Sequence, residues 1–343
     1  MLTDNYREAE IQALIALDEI ASPFNNPNDA PHVRAPKNIT EAQTYFRRFA
    51  LKLAPAFQTL KSKGLVQETK GEFTLTQTGN KIADELRILR PPIYYWYRDF
   101  YFAVETSRAF DEYSRRVFGA NFGQHGFSDI SQIQKMLDLL QLNKSSKVLD
   151  IGCGNGKMAE HISDLTQATV TGIDYIPEAI GQATRRTQDK RNCLNYQVAN
   201  LELLDFAPES FDAIIAVDTV FFGRKMAATI SNLNRTLKPG GKMAVFNGDY
   251  QEKDFLKALA DNDLTYQIYD LSTEHVQHML LKHQVAKELE QVFTAEGNAF
   301  IWKNLMAESF ADLNYRKLPD YDPGKRYLYI VKKPHKLAND AVR

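Results

Sequence analysis

The segment VLDIGCGNGKMAEHI (Val148–Ile162) puts a carboxylate, Asp150, at the end of an apolar run, with Gly152, Gly154 and Gly156 at alternate positions behind it. A strand ending there, a turn without Cβ atoms and a helix behind it let the backbone approach a ligand closely. A nicotinamide-dinucleotide turn would read G-x-G-x-x-G/A, so that a diphosphate sits on the helix N-terminus. Position 157 is Lys, so the third small residue is missing. Asp150 discriminates in the same direction, because a carboxylate suits a cationic ammonium group better than a diphosphate. A second feature is IYYWYRDFYF (Ile93–Phe102), with seven aromatic rings in ten residues. The rings either fill space between domains or offer faces to a sulfonium or ammonium cation, with Tyr94, Tyr95, Trp96, Tyr97 and Tyr101 as the candidates. The histidines have no Cys or carboxylate partner at ligand spacing, so no metal site is expected.

The elements that must hold these residues follow from composition and period. The chain has 343 residues, 44% hydrophobic and 25% charged, which predicts two folded domains and excludes long disorder. A formal net charge of -1 excludes a global basic field for nucleic acid or an anionic membrane. With only Cys153 and Cys193, no secretory leader and no apolar run long enough to span a bilayer, a cytoplasmic location is expected. From Val148 onward, short apolar runs (KVLDIG, ATVTGID, NYQVAN, FDAIIAVD, KMAVFNG, TYQIYDL, RYLYIVKK) alternate with helical patterns. That alternation predicts an α/β domain over 111–343, a mostly parallel sheet covered on both faces. The last two runs are separated by Ser272–Tyr321, too long for a bare loop and helical in pattern, which predicts a helical cap insertion before the last strand.

Residues 1–110 read differently. Apolar spacing predicts a helix over 3–20, capped at Thr3 or Asp4, then an irregular connection through Pro23, Pro27, Pro31 and Pro36. Two helices over 40–63 are expected to meet near Pro55, followed by a hairpin about Lys70-Gly71 and a helix capped by Thr78. Helix, helix, hairpin, helix resembles a winged-helix module, of the kind that binds DNA in many regulators and serves as a dimerisation and lid domain in many small-molecule O-methyltransferases. The balanced charge favours the second use, and a homodimer through this domain stays open.

Taken together, DIGCGNG and the segments after it resemble class I S-adenosylmethionine-dependent methyltransferases, with a Rossmann-like seven-stranded sheet. By that resemblance S-adenosyl-L-methionine is the cofactor. Asp150, Gly152, Cys153, Gly154 and Gly156 form its first motif, and Asp174 accepts the ribose hydroxyls. The spacing from the glycine turn, about 20 residues, agrees with an acidic ribose-binding residue. Tyr175 and Ile176 would pack the adenine face. The family often has Gly-Asp after the third strand; here the pair is Ala199-Asn200, so Asn200, beside Leu201, takes the adenine position with a changed side chain. Asp218 ends the fourth strand beside the methyl-transfer site, and Pro239-Gly240-Gly241 marks the turn into the fifth. Upstream, FGANFGQHGF is similar to a segment of sarcosine and dimethylglycine methyltransferases and cyclopropane-fatty-acid synthases that folds over the cofactor. That likeness places Gln124, His125 and Phe127 at its methionine end, with Tyr113 and Phe118 nearby.

The expected activity is therefore methyl transfer to the N, O or C atom of a small molecule by in-line displacement, in which alignment supplies much of the rate. A base is needed only where the acceptor must lose a proton, and His125, Asp218, His275 and His278 are the candidates, His125 and Asp218 foremost. Aromatic lining predicts an apolar or cyclic acceptor. The competing reading is a nucleic-acid-binding or nucleic-acid-modifying protein using the winged-helix-like domain. Against it stands Asp218-Thr219-Val220-Phe221, where a base methyltransferase acting on exocyclic amines would commonly show an Asn/Asp-Pro-Pro-Tyr type segment.

Overall fold

The computed structural model describes residues 5–18, 36–91, 93–223, 225–248, 251–315 and 325–335, and the chain divides into two compact units, Met1–Phe100 and Tyr101–Arg343.

In the first unit, α1 (Glu8–Asp18), α2 (Ile39–Phe46), α3 (Leu53–Ser62), the antiparallel pair β1 (Val66–Thr69) and β2 (Glu72–Leu75), and α4 (Gln77–Leu86) follow in order. This is the helix, helix, hairpin, helix order read from the sequence, with three adjustments. The break between α2 and α3 lies at a 3-10 turn, Arg47–Phe49, and Pro55 sits inside the first turn of α3, where a missing N–H costs nothing. The cap of α4 is Thr76, whose hydroxyl accepts from Gly79 N at 3.1 Å, and Thr78 lies within the helix. The first helix begins at Glu8; its expected caps at Thr3 and Asp4, and the prolines 23, 27 and 31, lie outside the described residues. The aromatic run forms α5 (Tyr94–Val104), in which Tyr95 is buried against Phe46, its hydroxyl donating to Glu8.

The second unit opens with α6 (Arg108–Phe118), capped by Ser107 and ended by left-handed Gly119, and α7 (Ile130–Leu140), capped by Asp129. The order then runs β3 (Lys147–Ile151), α8 (Lys157–Thr166), β4 (Thr169–Asp174), α9 (Pro177–Arg186), β5 (Leu194–Val198), β6 (Phe211–Val217), α10 (Met226–Thr236), β7 (Leu237–Gly248), α11 (Glu252–Asp261), β8 (Thr265–Asp270), α12 (Ser272–Glu288), α13 (Glu290–Ala295), α14 (Ala299–Tyr315) and β9 (Arg326–Lys332). The helical insertion expected before the last strand is α12 to α14; of its expected span, residues 316–321 lie outside the described residues.

The sheet order is β5-β4-β3-β6-β7-β9-β8, parallel except for β9, which runs antiparallel to both neighbours. Its central strands are buried on both faces: Leu149, Ile151, Ile214 and Val245 pack in one layer and Val148, Val170, Ile215 and Phe246 in the other. Pro239-Gly240-Gly241 lies inside β7 as an irregularity, before regular pairing resumes at Ala213 and Lys242. Connections leave β3 toward β4 on one side and return to β6 on the other. In such open sheets the crevice at the strands' carboxyl ends is where ligands bind.

Candidate functional site

Three strand ends build the site. After β3 the chain turns through Gly152, Gly154 and Gly156, at φ 68°, 55° and 74°, all in the left-handed region, and α8 starts directly behind. A Cβ on Gly152 would lie 2.4 Å from Thr219 Cγ2, and one on Gly154 would lie 2.3 Å from the Tyr101 hydroxyl. Backbone therefore meets side chain directly at both positions. Tyr101, one of the aromatic candidates, lies against the glycine turn.

Asp174, at the end of β4, ties the turn together: Oδ2 accepts from Gly154 N and Oδ1 from Ile176 N, both at 2.9 Å. Burial lifts its carboxyl to about 6, against the pull of these amides. The Tyr175 amide also donates to this carboxylate, so of its roughly four acceptor sites about one is left for a ligand hydroxyl. Asp150, 2% exposed, is more isolated; its Oδ2 has no hydrogen-bond partner among the described residues. Burial and the neighbouring Asp174 push its carboxyl up to about 8. A buried carboxylate oxygen without a donor beside a second buried carboxylate is a place for a cation, such as the ammonium of an aminoacyl nucleoside. Burial pushes the Cys153 thiol up, and the nearby Asp150 and Asp174 add to the effect. Ile176 is fully buried, Tyr175 half-buried, and Leu201 half-buried against the core. Asn200 uses its side-chain oxygen locally, accepting from Glu202 N at 2.8 Å.

Asp218, at φ 57° after β6, is held on several sides. Arg326, the first residue of β9, donates from Nη1 to Oδ1 at 2.5 Å and from Nη2 to Oδ2 at 3.1 Å, and Phe127 N donates to Oδ2 at 2.9 Å. A Cβ on Gly126 would lie 2.8 Å from the same oxygen. Asp218 thereby anchors the Gln124–Ser128 segment beside the end of β6. Gln124 donates to Ser128 O, while its own Oε1 has no partner among the described residues. His125 Nε2 lies 2.5 Å from Asn304 Oδ1 and 3.4 Å from Glu308 Oε1.

The sequence did not single out Lys282, Glu308 or Arg326. Lys282, 1% exposed, donates to Glu308 Oε2 at 2.9 Å and to Gly126 O at 3.1 Å and lies 4.3 Å over the Phe127 ring. Burial holds His275 down to about 3 and His278 down to about 4, with the Arg326 and Lys282 cations adding to the effect, so both rings are neutral. The Tyr113 hydroxyl is buried without a partner among the described residues. An isolated Lys or Arg with no evident carboxylate nearby in sequence gives no local signal.

Comparison with known proteins bears directly on this crevice. Residues 149–245, from inside β3 to inside β7, match the family described as a methyltransferase domain. This stretch of the chain is similar to methyltransferase domains. Over 130 residues the chain is 29% identical to phosphoethanolamine N-methyltransferase 1 of Triticum aestivum, covering 38% of this chain and 26% of that protein. Over 111 residues it is 33% identical to a sterol 24-C-methyltransferase of Candida albicans, covering 31% of this chain and 29% of that protein. The matches thus span between a quarter and a third of these relatives' length. In structure, the chain resembles phosphoethanolamine N-methyltransferase 2 of Haemonchus contortus, solved with phosphomonomethylethanolamine and S-adenosylhomocysteine: TM-score 0.56, 16% identity, 77% of this chain and 62% of that one. It also resembles the cyclase SpnF, with TM-score 0.53, 18% identity, 69% of this chain and 94% of that one. The matched stretch therefore lies in a seven-stranded sheet whose fold resembles these two structures. Lys282, Glu308 and Arg326 all lie beyond it, on the insertion and the last strand.

Proposed function

We propose that the chain transfers a methyl group from S-adenosylmethionine to a small-molecule acceptor. The observation that supports this best is the stretch 149–245, similar to methyltransferase domains, whose glycine turn is flanked by a buried carboxylate oxygen without a donor. When bound, S-adenosylmethionine supplies an electrophilic methyl group. Asp150 would meet its ammonium, the Gly152–Gly156 backbone would approach it closely, Asp174 would accept the ribose hydroxyls, and Tyr175, Ile176, Asn200 and Leu201 would border the adenine. Asp218 holds the Gln124–Ser128 segment over the crevice through Phe127 N.

The acceptor proposed is small, with apolar or cyclic character, covered by the insertion α12 to α14. The rings of Tyr101, Tyr113, Phe118 and Phe127 support this reading. The relatives' names specify phosphoethanolamine and sterol acceptors for those proteins, and the SpnF likeness shows that this fold also serves a cyclase, so acceptor identity must be measured. Residues 1–110 are proposed as a winged-helix-like dimerisation domain, and the protein as cytoplasmic. Among the described residues no helix is long and apolar enough to cross a membrane. Isothermal titration with S-adenosylhomocysteine and NAD side by side tests the central reading. Heat with the former supports it; no heat with the former and clear binding of the latter overturns it.

A further inference from the structure

Position 157, where a dinucleotide turn would carry a small residue, holds a lysine that the cofactor crevice leaves unexplained. Lys157 opens α8, is half-buried, and makes no hydrogen bond or ion pair among the described residues. The carboxylates around it are already taken. Asp111 on α6 accepts from Arg115 at 2.9 Å and from Asn121 at 2.7 Å. Glu160 on α8 accepts from Arg186 at 2.8 Å and from Lys190 at 3.0 Å, and Glu105 accepts from Gln182 and Arg185, each at 3.2 Å. Burial, the largest influence, lowers the Lys157 ammonium from its usual range; the charged groups acting on it are Arg186 from α9, Asp111 and Arg115 from α6 and Glu160 from its own helix, and Arg186 adds to the lowering. A half-buried cation without an acceptor, beside a second cation, is a place for an anion.

Lys157 lines a cavity of about 660 Å³ together with Val104 at the end of α5, Ala109 on α6, Asn121, and Leu289 and Val292 at α13. Small-molecule sites run from about 300 to 1,000 Å³ and combine apolar walls with a few polar groups, and this cavity has that make-up. Val104, Ala109 and Leu289 are buried, while the Ser107 hydroxyl at its edge is spent on Glu296 at 2.6 Å. Glu105, Asp111 and Glu112 also line it, so a dianion such as phosphate is repelled, whereas a single negative charge can sit on the unpaired ammonium. We propose that this cavity is a second small-molecule site, apart from the cofactor crevice, for a monocarboxylate with a short aliphatic chain, its carboxylate on Lys157 Nζ and its chain against Val104, Leu289 and Val292. Such a site stands whether or not the chain transfers methyl groups.

The test is carbon-13 methyl NMR of the full-length protein labelled at valine and leucine, with the signals of Val104, Leu289 and Val292 assigned by their loss in Val104→Ile, Leu289→Met and Val292→Ile. Hexanoate is the probe, and hexylamine and inorganic phosphate are the comparisons. The expected result is a saturable shift of all three residues' methyl signals with hexanoate and none with the other two at the same concentrations. Lys157→Met keeps the side chain's length and removes its charge, and should weaken hexanoate binding by about tenfold or more, the scale of one hydrogen bond to a charged group. Lys157→Arg should retain most of the affinity, and methyl signals away from the cavity report that each variant is folded. Absence of a saturable shift with hexanoate in the parent, equal affinity in folded Lys157→Met, or hexylamine or phosphate binding as tightly as hexanoate overturns the proposal. Displacement of hexanoate by S-adenosylhomocysteine also overturns it, since Lys157 would then belong to the cofactor's own site. Failure of the parent to bind S-adenosylhomocysteine would instead sink the methyl-transfer reading, and the hexanoate measurement is independent of that outcome.

Discussion

Asp218 and Arg326 form a bidentate ion pair, 2.5 and 3.1 Å, between residues 108 apart in sequence and 7% and 3% exposed. The pair joins the end of β6 to the start of β9. Removing one partner of a buried pair leaves an uncompensated charge, at a cost of about 3–5 kcal/mol, whereas removing both is far cheaper. Arg326→Met should therefore be strongly destabilised in urea unfolding, and adding Asp218→Asn should recover most of the loss. Equal stability of the single and double variants would show that the pair does not act as a unit.

Gly154 cannot carry a side chain without moving Tyr101, since its φ is 55° and a Cβ would lie 2.3 Å from the hydroxyl. Gly154→Ala should lose about 1–3 kcal/mol, the usual range for overpacking a closed site. Combining it with Tyr101→Ala should relieve the clash but leave the strained backbone. Chemical denaturation of the single and combined variants measures the difference.

Asp150 makes stability fall as pH rises. Its carboxyl is raised from 3.8 unfolded to about 8 folded, so between about pH 4 and pH 8 the folded state holds the extra proton and loses its advantage as solution proton activity drops. Asp150→Asn should flatten this slope, with a gain of about 1–3 kcal/mol at alkaline pH, the scale of one unpaired buried polar group. Thermal melts across that window test it; identical slopes in parent and variant would refute the assignment. A ligand ammonium favours the ionised carboxylate, so S-adenosylhomocysteine binding should release protons in the same window. Titration in buffers of different ionisation enthalpy counts them.

Asp174→Ala should weaken S-adenosylmethionine binding by about 1–3 kcal/mol, the loss expected when hydrogen bonds to a charged group are removed. Part of that loss comes from the amides of Gly154 and Ile176, which lose their acceptor, so the turn itself should loosen. Unchanged affinity in a folded variant would count against its place at the ribose.

Much of the architecture was readable because it is written locally. Short, largely apolar runs with Asp150, Asp174 and Asp218 at or near their ends marked β3, β4 and β6 and, with them, the crevice at their ends. Finer local detail at helix starts was missed. Thr76, not Thr78, reaches the Gly79 amide, and Pro55 is accommodated in a helix's first turn instead of breaking it. Pro239-Gly240-Gly241 looked like a turn and became part of β7, because Leu237 pairs with Phe211 before the irregularity and Lys242 with Ala213 after it.

By itself the amino-acid order determined the glycine bend, the acids at three strand ends, the alternating α/β pattern and the helical insertion, since each depends on neighbours a few positions away. Tertiary structure alone decided what surrounds the imidazole at position 125 and the carboxylate at 218. Their partners on α14 and β9 lie 179 and 108 positions away along the chain, and long-range pairing of buried polar groups leaves no periodic trace in sequence. Chain folding brings those groups together because none could be buried alone.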